Sequence, residues 1–521
     1  MRWSIGLVGA VAVWANAAAT EAAVKLPSVF GSHMVLQRDQ PVPVWGTADA
    51  GEEVTVSFRD QSLTVKAGDD GKWSAKLAPL TVGDAAALTV KGTNTITFED
   101  VLVGEVWVCS GQSNMGWAVQ ASLDADLEAA ATGQPGIRLF QVPMVTALEP
   151  QDDVKAEWRA CTPENIPNFS AVAYFFGRQL YETLDVPVGI IQTAWGGTPA
   201  ESWTRHDHLV SDADLKPILD TWAERVQTYN PEEAKAQHAV ALEKWKAAVA
   251  IAKSEDKPLP QRPRDPQDPN TNSHNPTVLF NAMIAPLTPY AIKGAIWYQG
   301  ESNAGRAYQY RKLMPAMIQS WREDWGQGDF PFYQVQLANF KGKTTEPGES
   351  EWAELREAQM LATQALPHVG AACIIDIGAA KDIHPKDKQN VAKRLARLAL
   401  VDDYGRTGIV RNGPVFKSVD IQAGKCVVDF HTSGRKLTSY YNEPLGGFAI
   451  AGTGKKWVWA EAKIIDADSV EVSHPDVMEP VAVRYNWADN PQGNLYSDSY
   501  LPTYPFRTDD WPGLTVGKLK P

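Results

Sequence analysis

Between Val24 and Val103 apolar and polar residues alternate in short runs, such as Glu53-Val54-Thr55-Val56-Ser57-Phe58 and Ser62-Leu63-Thr64-Val65-Lys66, with turn residues between them. A period of two is that of a strand with one buried face, so residues 24–103 are predicted to form a small β-sandwich domain. Asp69-Asp70-Gly71 reads as a turn between two of its strands. After Val103 the period changes. Residues 169–184, 313–325, 351–366 and 386–401 carry helical patterns, and apolar runs at 186–192, 292–298, 332–337 and 369–377 read as buried strands between them. Such alternation predicts an α/β domain over residues 104–407, with a mostly parallel sheet wrapped by helices. It is interrupted by an insertion at 210–276, strongly helical over 214–252 and rich in Pro, Asp and Asn over 257–276. A surface excursion is the plain reading of this insertion; a wall or lid beside a site is the alternative. From residue 408 to 521 runs at 424–430, 455–465 and 469–473 return to β, and a second sandwich-like domain is expected. Its end, 486–510, is dense in Asn, Pro, Tyr and Trp and reads as a loop packed on the neighbouring domain.

A chain of 521 residues is long enough for two or three domains, and 44% hydrophobic with 21% charged residues is the balance of a globular protein. The net charge of −13 argues against nucleic acid or an anionic membrane surface as partner, since either needs a basic face. The first residues resemble an export signal: Arg2, an apolar run over 5–14, and Ala15-Asn16-Ala17 as a cleavage site. Residues 1–23 are therefore read as a signal peptide and the protein as secreted or periplasmic. The run is too short to span a bilayer, and no later segment approaches the ~20 apolar residues required, so no membrane insertion of the mature chain is expected. Four cysteines, Cys109, Cys161, Cys373 and Cys426, lie far apart without a Cys-x-x-Cys pair. Cys109 and Cys373 fall in apolar strand-like runs and are read as buried thiols.

The candidate chemistry sits where strands end. Residues 104–115 carry an apolar strand into Gly111-Gln112-Ser113-Asn114-Met115, which presents Ser113 on a small-residue turn. A serine hydroxyl is a poor nucleophile at neutral pH and needs a base and an anion-stabilising pocket. Gly300-Glu301-Ser302-Asn303 follows another strand, and Asp382-Ile383-His384-Pro385 places a histidine just before a helix. Taken singly, the serine is an ordinary turn residue, Asn303 a helix cap and His384 a surface histidine. Ser113, Gly197, Asn303 and His384 nevertheless all follow predicted strands, and ligands of open parallel sheets bind beyond the carboxyl ends of the strands. A nucleophile, an amide donor and a histidine on one sheet edge fit acyl transfer. No metal or other cofactor is required; Arg205-His206-Asp207-His208 reads as solvated rather than metal-binding. Among 19 tryptophans, Trp107 and Trp297 lie in strands and belong to the core, whereas Trp117 and Trp203 follow the site blocks and are candidates for stacking on a sugar ring.

Four blocks in order, Gly-Gln-Ser-Asn-Met, Trp195-Gly196-Gly197-Thr198-Pro199-Ala200-Glu201-Ser202-Trp203, Trp297-Tyr298-Gln299-Gly300-Glu301-Ser302-Asn303 and Asp382-Ile383-His384-Pro385, resemble the SGNH hydrolases, and more closely the sialate O-acetylesterase group with its bacterial carbohydrate acetylesterases. The resemblance implies a three-layer α/β/α central domain flanked by β-sandwich-like domains, and a serine esterase that removes O-acetyl groups from glycans, such as xylan, xyloglucan or O-acetylated sialic acid, through an acetyl-enzyme intermediate. It implies Ser113 as nucleophile and His384 as base. The Ser113 N–H, the Gly197 N–H (in preference to Gly196) and the Asn303 side chain would form the oxyanion hole, with Gln112, Trp117, Trp203, Gln299 and Glu301 as substrate contacts. The SGNH pattern places an aspartate three residues before the histidine, but here that position is Lys381. Asp382, two residues before His384, projects to the same side in an extended segment and is the candidate acid; Asp376, Asp387 and a backbone carbonyl are its competitors. The acidic, tryptophan-rich composition leans toward a neutral plant-type polysaccharide. The alternative from another class is a non-catalytic carbohydrate-binding protein.

Overall fold

The alternating N-terminal runs form β1 (Val35–Gln37), β2 (Val42–Thr47), β3 (Glu53–Phe58), β4 (Gln61–Lys66), β5 (Lys72–Leu77) and β6 (Ala86–Lys91), which lead into β7 (Thr95–Gly111). Strands β2 and β5 pair antiparallel, and β4, β3, β6 and the first part of β7 form an antiparallel ladder. Strand β7 then continues for a total of 17 residues. Its side chains alternate between partly exposed and exposed as far as Asp100, and from Val103 to Gly111 all are buried, as expected where a sheet covered on one face passes into one covered on both. The change of hydrophobic period at Val103 therefore falls inside one continuous strand. This computed structural model describes residues 23–130 and 133–521. The export signal expected at residues 1–23 lies outside the described residues except for Ala23.

The central region contributes α1 (Ser113–Gly116), α2 (Ala125–Ala130), β8 (Gln134–Gln141), β9 (Trp158–Cys161), α3 (Ala171–Leu184), β10 (Val188–Ala194), α4 (His206–Val210), α5 (Lys216–Thr228), α6 (Pro231–Ser254), β11 (Gly294–Tyr298), α7 (Ala307–Trp325), β12 (Phe332–Val335), α8 (Glu351–Ala365), β13 (Val369–Ala372) and α9 (Lys388–Asp402). The sheet order is β13-β12-β11-β7-β10-β8-β9, parallel throughout except for the antiparallel edge strand β9. Successive strand residues serve opposite faces: Ile296 joins a core with Trp107, Ile190 and the apolar sides of α3 and α9, while Trp297 joins one with Phe332, Leu313 and Leu355 of α7 and α8. The fold is thus mixed α/β, a large mixed sheet with further β-sheets attached.

The helical stretch of the insertion is made of α5 and α6, divided at Tyr229-Asn230, where the Asn230 side chain caps α6 by accepting from the N–H groups of Glu232 and Glu233 and Pro231 opens the helix. After residue 408 two antiparallel four-stranded sheets form, and the apolar run at 455–465 splits into Trp457–Trp459 and Glu461–Ile464, which belong to different sheets. The Asn- and Trp-rich segment packs on the central region through Arg356, a buried side chain that donates to the carbonyls of Leu337, Ala338, Ala488 and Asp489. All four cysteines are buried free thiols. Among the described residues no helix is long and apolar enough to cross a membrane.

Candidate active site

Strand register brings the blocks together. Gly111, the last residue of β7, stands beside Ala194 at the end of β10 and Tyr298 at the end of β11, so the turns that follow all three strands leave the sheet at one level. Gly111 has φ +142°, and a Cβ there would lie 2.2 Å from the Tyr298 carbonyl oxygen; only glycine lets the chain turn this close to its neighbour. The turn delivers Ser113, whose Oγ lies 2.8 Å from His384 Nε2. His384 comes from the loop between β13 and α9, on the same carboxyl edge of the sheet. Trp117 stacks on the imidazole, with centroids 4.8 Å apart and an 18° interplanar angle. Ser113, Trp117 and Gly196 open into a cleft of about 970 Å³ whose walls include Leu139, Val142, Phe169 and the charged Lys155, Glu157 and Arg159.

The acid is more loosely held than in a buried triad. Asp382 Oδ1 accepts from the His384 backbone N–H at 2.9 Å and lies 3.6 Å from His384 Nδ1, beyond a good hydrogen bond, with its side chain 47% exposed. The competing acids are engaged elsewhere: Asp376 pairs with Arg394, and Asp387 caps α9 by accepting from the Asn390 N–H. Burial, then the charge of Lys388, lowers the His384 pKa below its usual value, against the opposing pull of Asp382.

Of the expected anion-binding groups, the Ser113 N–H has no protein acceptor among the described residues. Gly196 rather than Gly197 lies against the serine, since a Cβ on Gly196 would meet Ser113 Cβ at 3.3 Å, whereas one on Gly197 would face His274 of the insertion. The Asn303 side chain is buried and occupied: Oδ1 accepts from the Ala200 N–H and from Gln299, and Nδ2 donates to Glu201, itself buried and paired with Arg306. Asn303 therefore braces the Gly196–Ala200 turn from below. Several expected substrate contacts also lie beneath the surface. Trp203 is a core residue, fully buried, donating to Thr198 and meeting Trp297 edge-on, so the expectation that it stacks on a sugar is corrected. Gln299 is likewise fully buried between Thr198, Asn303 and Tyr310, which rules out direct substrate contact in this arrangement. Gln112 is 3% exposed and accepts weakly from the Gly300 N–H. Glu301 points inward to Asn114 rather than into the cleft. Trp117 alone of these five lines the cleft.

Two residues escaped the sequence reading. Asn114 accepts from Lys388 Nζ at 2.6 Å through Oδ1 and donates through Nδ2 to Glu301 at 2.6 Å and to the Ile383 carbonyl at 3.1 Å. Lys388 is fully buried in the first turn of α9, where a lysine ordinarily reads as a solvent-facing residue. Its place four residues after His384 was the one available signal. The Asp207, His208 and Glu323 cluster is filled by the Arg205 guanidinium, which pairs with Asp207 and Glu323.

A serine paired with a histidine at the mouth of a parallel α/β sheet defines a hydrolase-type site, and comparison with known proteins makes the class specific. The family model for carbohydrate esterases of the sialic acid-specific acetylesterase type matches residues 103–230 and 271–400, leaving out all of α6 and most of the Pro-rich stretch after it. Human sialate O-acetylesterase is 29% identical over 98% of this chain and 97% of its own length; the rat enzyme is 30% identical over 92% and 94%. The crystal structure of a carbohydrate acetylesterase from Xanthomonas citri is 37% identical, covers 94% of this chain and 100% of its own, and superposes with a TM-score of 0.80. The protein is a carboxylic-ester hydrolase. It belongs to the sialate O-acetylesterase family of carbohydrate esterases.

Proposed function

We propose that the protein is a serine esterase that removes O-acetyl groups from glycans through an acetyl-enzyme intermediate. The 2.8 Å contact between Ser113 Oγ and His384 Nε2, open to the cleft, carries this reading. Ser113 Oγ attacks the acetyl carbonyl carbon while His384 Nε2 takes its proton; the C–O bond to the sugar then breaks as the imidazolium returns that proton to the leaving hydroxyl. Water, deprotonated by His384, then attacks the acetyl-enzyme carbonyl carbon, and the bond to Ser113 Oγ breaks as the imidazolium returns the proton to Oγ and acetate leaves. The Ser113 N–H and an N–H of the Gly196–Gly197 turn hold the oxyanion, with Asn303 bracing that turn through Ala200; Asp382 orients the imidazole. Helices on both sheet faces support an SGNH-type three-layer centre, residues 104–407, between β-rich regions at 24–103 and 408–521. The basic-apolar start of the sequence supports export, to the cell exterior or the periplasm.

The cleft favours a neutral acetylated glycan, since apolar and uncharged groups make up most of its walls and Trp117 offers an aromatic face. A second reading, O-acetylated sialic acid, is favoured by Lys155 in the cleft wall, a cation for a sugar carboxylate beside the Arg159–Glu157 pair, and by the names of the animal relatives. Acetate release from acetylated xylan, acetylated xyloglucan and an O-acetyl sialic acid decides between them: preference for the polysaccharides supports the first, preference for the sialic acid the second. Sugar binding with no acetate released from any of the three would instead indicate a carbohydrate-binding protein.

A further inference from the structure

Lys388 is a fully buried lysine with no direct carboxylate partner among the described residues, placed behind the serine–histidine pair. Its ammonium hydrogen-bonds Asn114, the residue after the nucleophile, and lies over the ring faces of Tyr298, at 5.2 Å, and Trp117, at 5.9 Å. The Asn114 amide is thereby interposed between a cation and an anion, its oxygen toward Lys388 and its nitrogen toward Glu301. That polarity fixes the amide in one orientation, and in that orientation its nitrogen also holds the carbonyl of Ile383, the residue before His384. One side chain thus joins the turn after β7, the segment after β11 and the histidine loop. Among the described residues Glu301 Oε2 is enclosed without a hydrogen-bond partner, and the carboxylate is held by its own backbone N–H, by Asn114 and by the nearby ammonium.

We propose that Lys388 is a positioning residue of the site: through Asn114 it fixes the Ser113 turn against the His384 loop, and over the Trp117 ring that stacks on the imidazole it places a buried cation that acts on the charge of His384. The proposal rests on the serine esterase reading for its kinetic part only. The groups that face His384 are Ser113 Oγ, the Trp117 ring, Asp382 from its own loop and Lys388 from α9. Those that face Lys388 are Asn114, Tyr298, Trp117 and, at longer range, Glu301, Asp382 and Asp387. Burial brings the Lys388 pKa down to about 7 against the pull of those three carboxylates. Burial, and after it the charge of Lys388, hold the His384 pKa below its usual value, so a protonated Lys388 disfavours the imidazolium.

The test is an NMR titration of the His384 imidazole in the wild-type protein and in Lys388→Met, assigned with His384→Asn, together with kcat and KM for p-nitrophenyl acetate. In Lys388→Met the His384 midpoint should rise by about half a unit or more, and kcat should fall roughly tenfold or more with KM little changed. Lys388→Arg keeps the charge and should return the midpoint to the wild-type value while leaving kcat reduced. A midpoint in Lys388→Met identical to wild type, or one in Lys388→Arg displaced upward, overturns the proposal; the second comparison stands alone should Lys388→Met not fold. Because the titration needs no turnover, an unmoved midpoint refutes the role of Lys388, whereas a wild-type protein that titrates as expected yet hydrolyses no ester refutes the esterase reading instead.

Discussion

Asp382→Asn separates two ways in which an acid can serve a catalytic histidine. The same oxygen, Oδ1, accepts from the His384 backbone N–H at 2.9 Å and faces Nδ1 at 3.6 Å. An asparagine with its carbonyl oxygen in that place keeps the backbone hydrogen bond and the imidazole tautomer and removes only the charge. At 3.6 Å, with the side chain 47% exposed, solvent screening holds the attraction between carboxylate and imidazolium near its value in water, about 1–2 kcal/mol. The expected loss in kcat is therefore roughly 5- to 30-fold, far from the ~10⁴ lost on the same change in a serine protease whose acid is buried and hydrogen-bonded. Asp382 also raises the His384 pKa, so the acid limb of the pH–rate profile should move to lower pH in the variant. Initial rates with p-nitrophenyl acetate across pH measure both effects. A loss of about 10³ or more would mean that the contact closes to a strong hydrogen bond during the reaction; no loss at all would remove Asp382 from the mechanism.

Three further outcomes follow from the site. The neutral imidazole is the working form, and burial with Lys388 lowers the His384 pKa; the acid limb of kcat/KM should therefore have its midpoint below 6.5, and a midpoint above 6.5 in the pH profile would contradict this assignment. Gly111→Ala puts a methyl group 2.2 Å from the Tyr298 carbonyl at φ +142° and should destabilise the fold by at least ~3 kcal/mol, seen as a lowered Tm; an unchanged Tm would mean that β7 and β11 part easily. Trp117→Ala removes an aromatic face from the cleft and should raise KM for an acetylated oligosaccharide about 3- to 10-fold; an unchanged KM would show that sugar does not stack there.

The serine and the histidine, ordinary when taken singly, were legible together because hydrophobic periodicity sets each after a predicted strand of one sheet, within blocks that resemble a known family. The helices and strands of the central region were legible from that periodicity: the predicted helix at 351–366 is α8 (Glu351–Ala365), and the apolar run at 186–192 lies largely within β10. What local pattern does not carry is burial decided by distant residues. Trp203 and Gln299 sit beside site motifs and read as exposed, yet Thr198, Tyr310 and Trp297 enclose them. Lys388 reads as the solvent face of an amphipathic helix, and only the approach of Asn114, 274 positions earlier, makes it a buried cation. In the insertion, the strongly helical stretch expected over 214–252 is divided at Asn230-Pro231, which form an N-cap and first turn.

The central claim is that Ser113 carries the acetyl group between glycan and water. Acid-quenching the enzyme during turnover of an acetylated substrate, followed by peptide mass spectrometry, tests it directly. One acetyl group on the peptide containing Ser113, absent in Ser113→Ala together with ester hydrolysis while the fold is retained, is the expected result. Acetylation at another residue, or undiminished acetate release by Ser113→Ala, would contradict it.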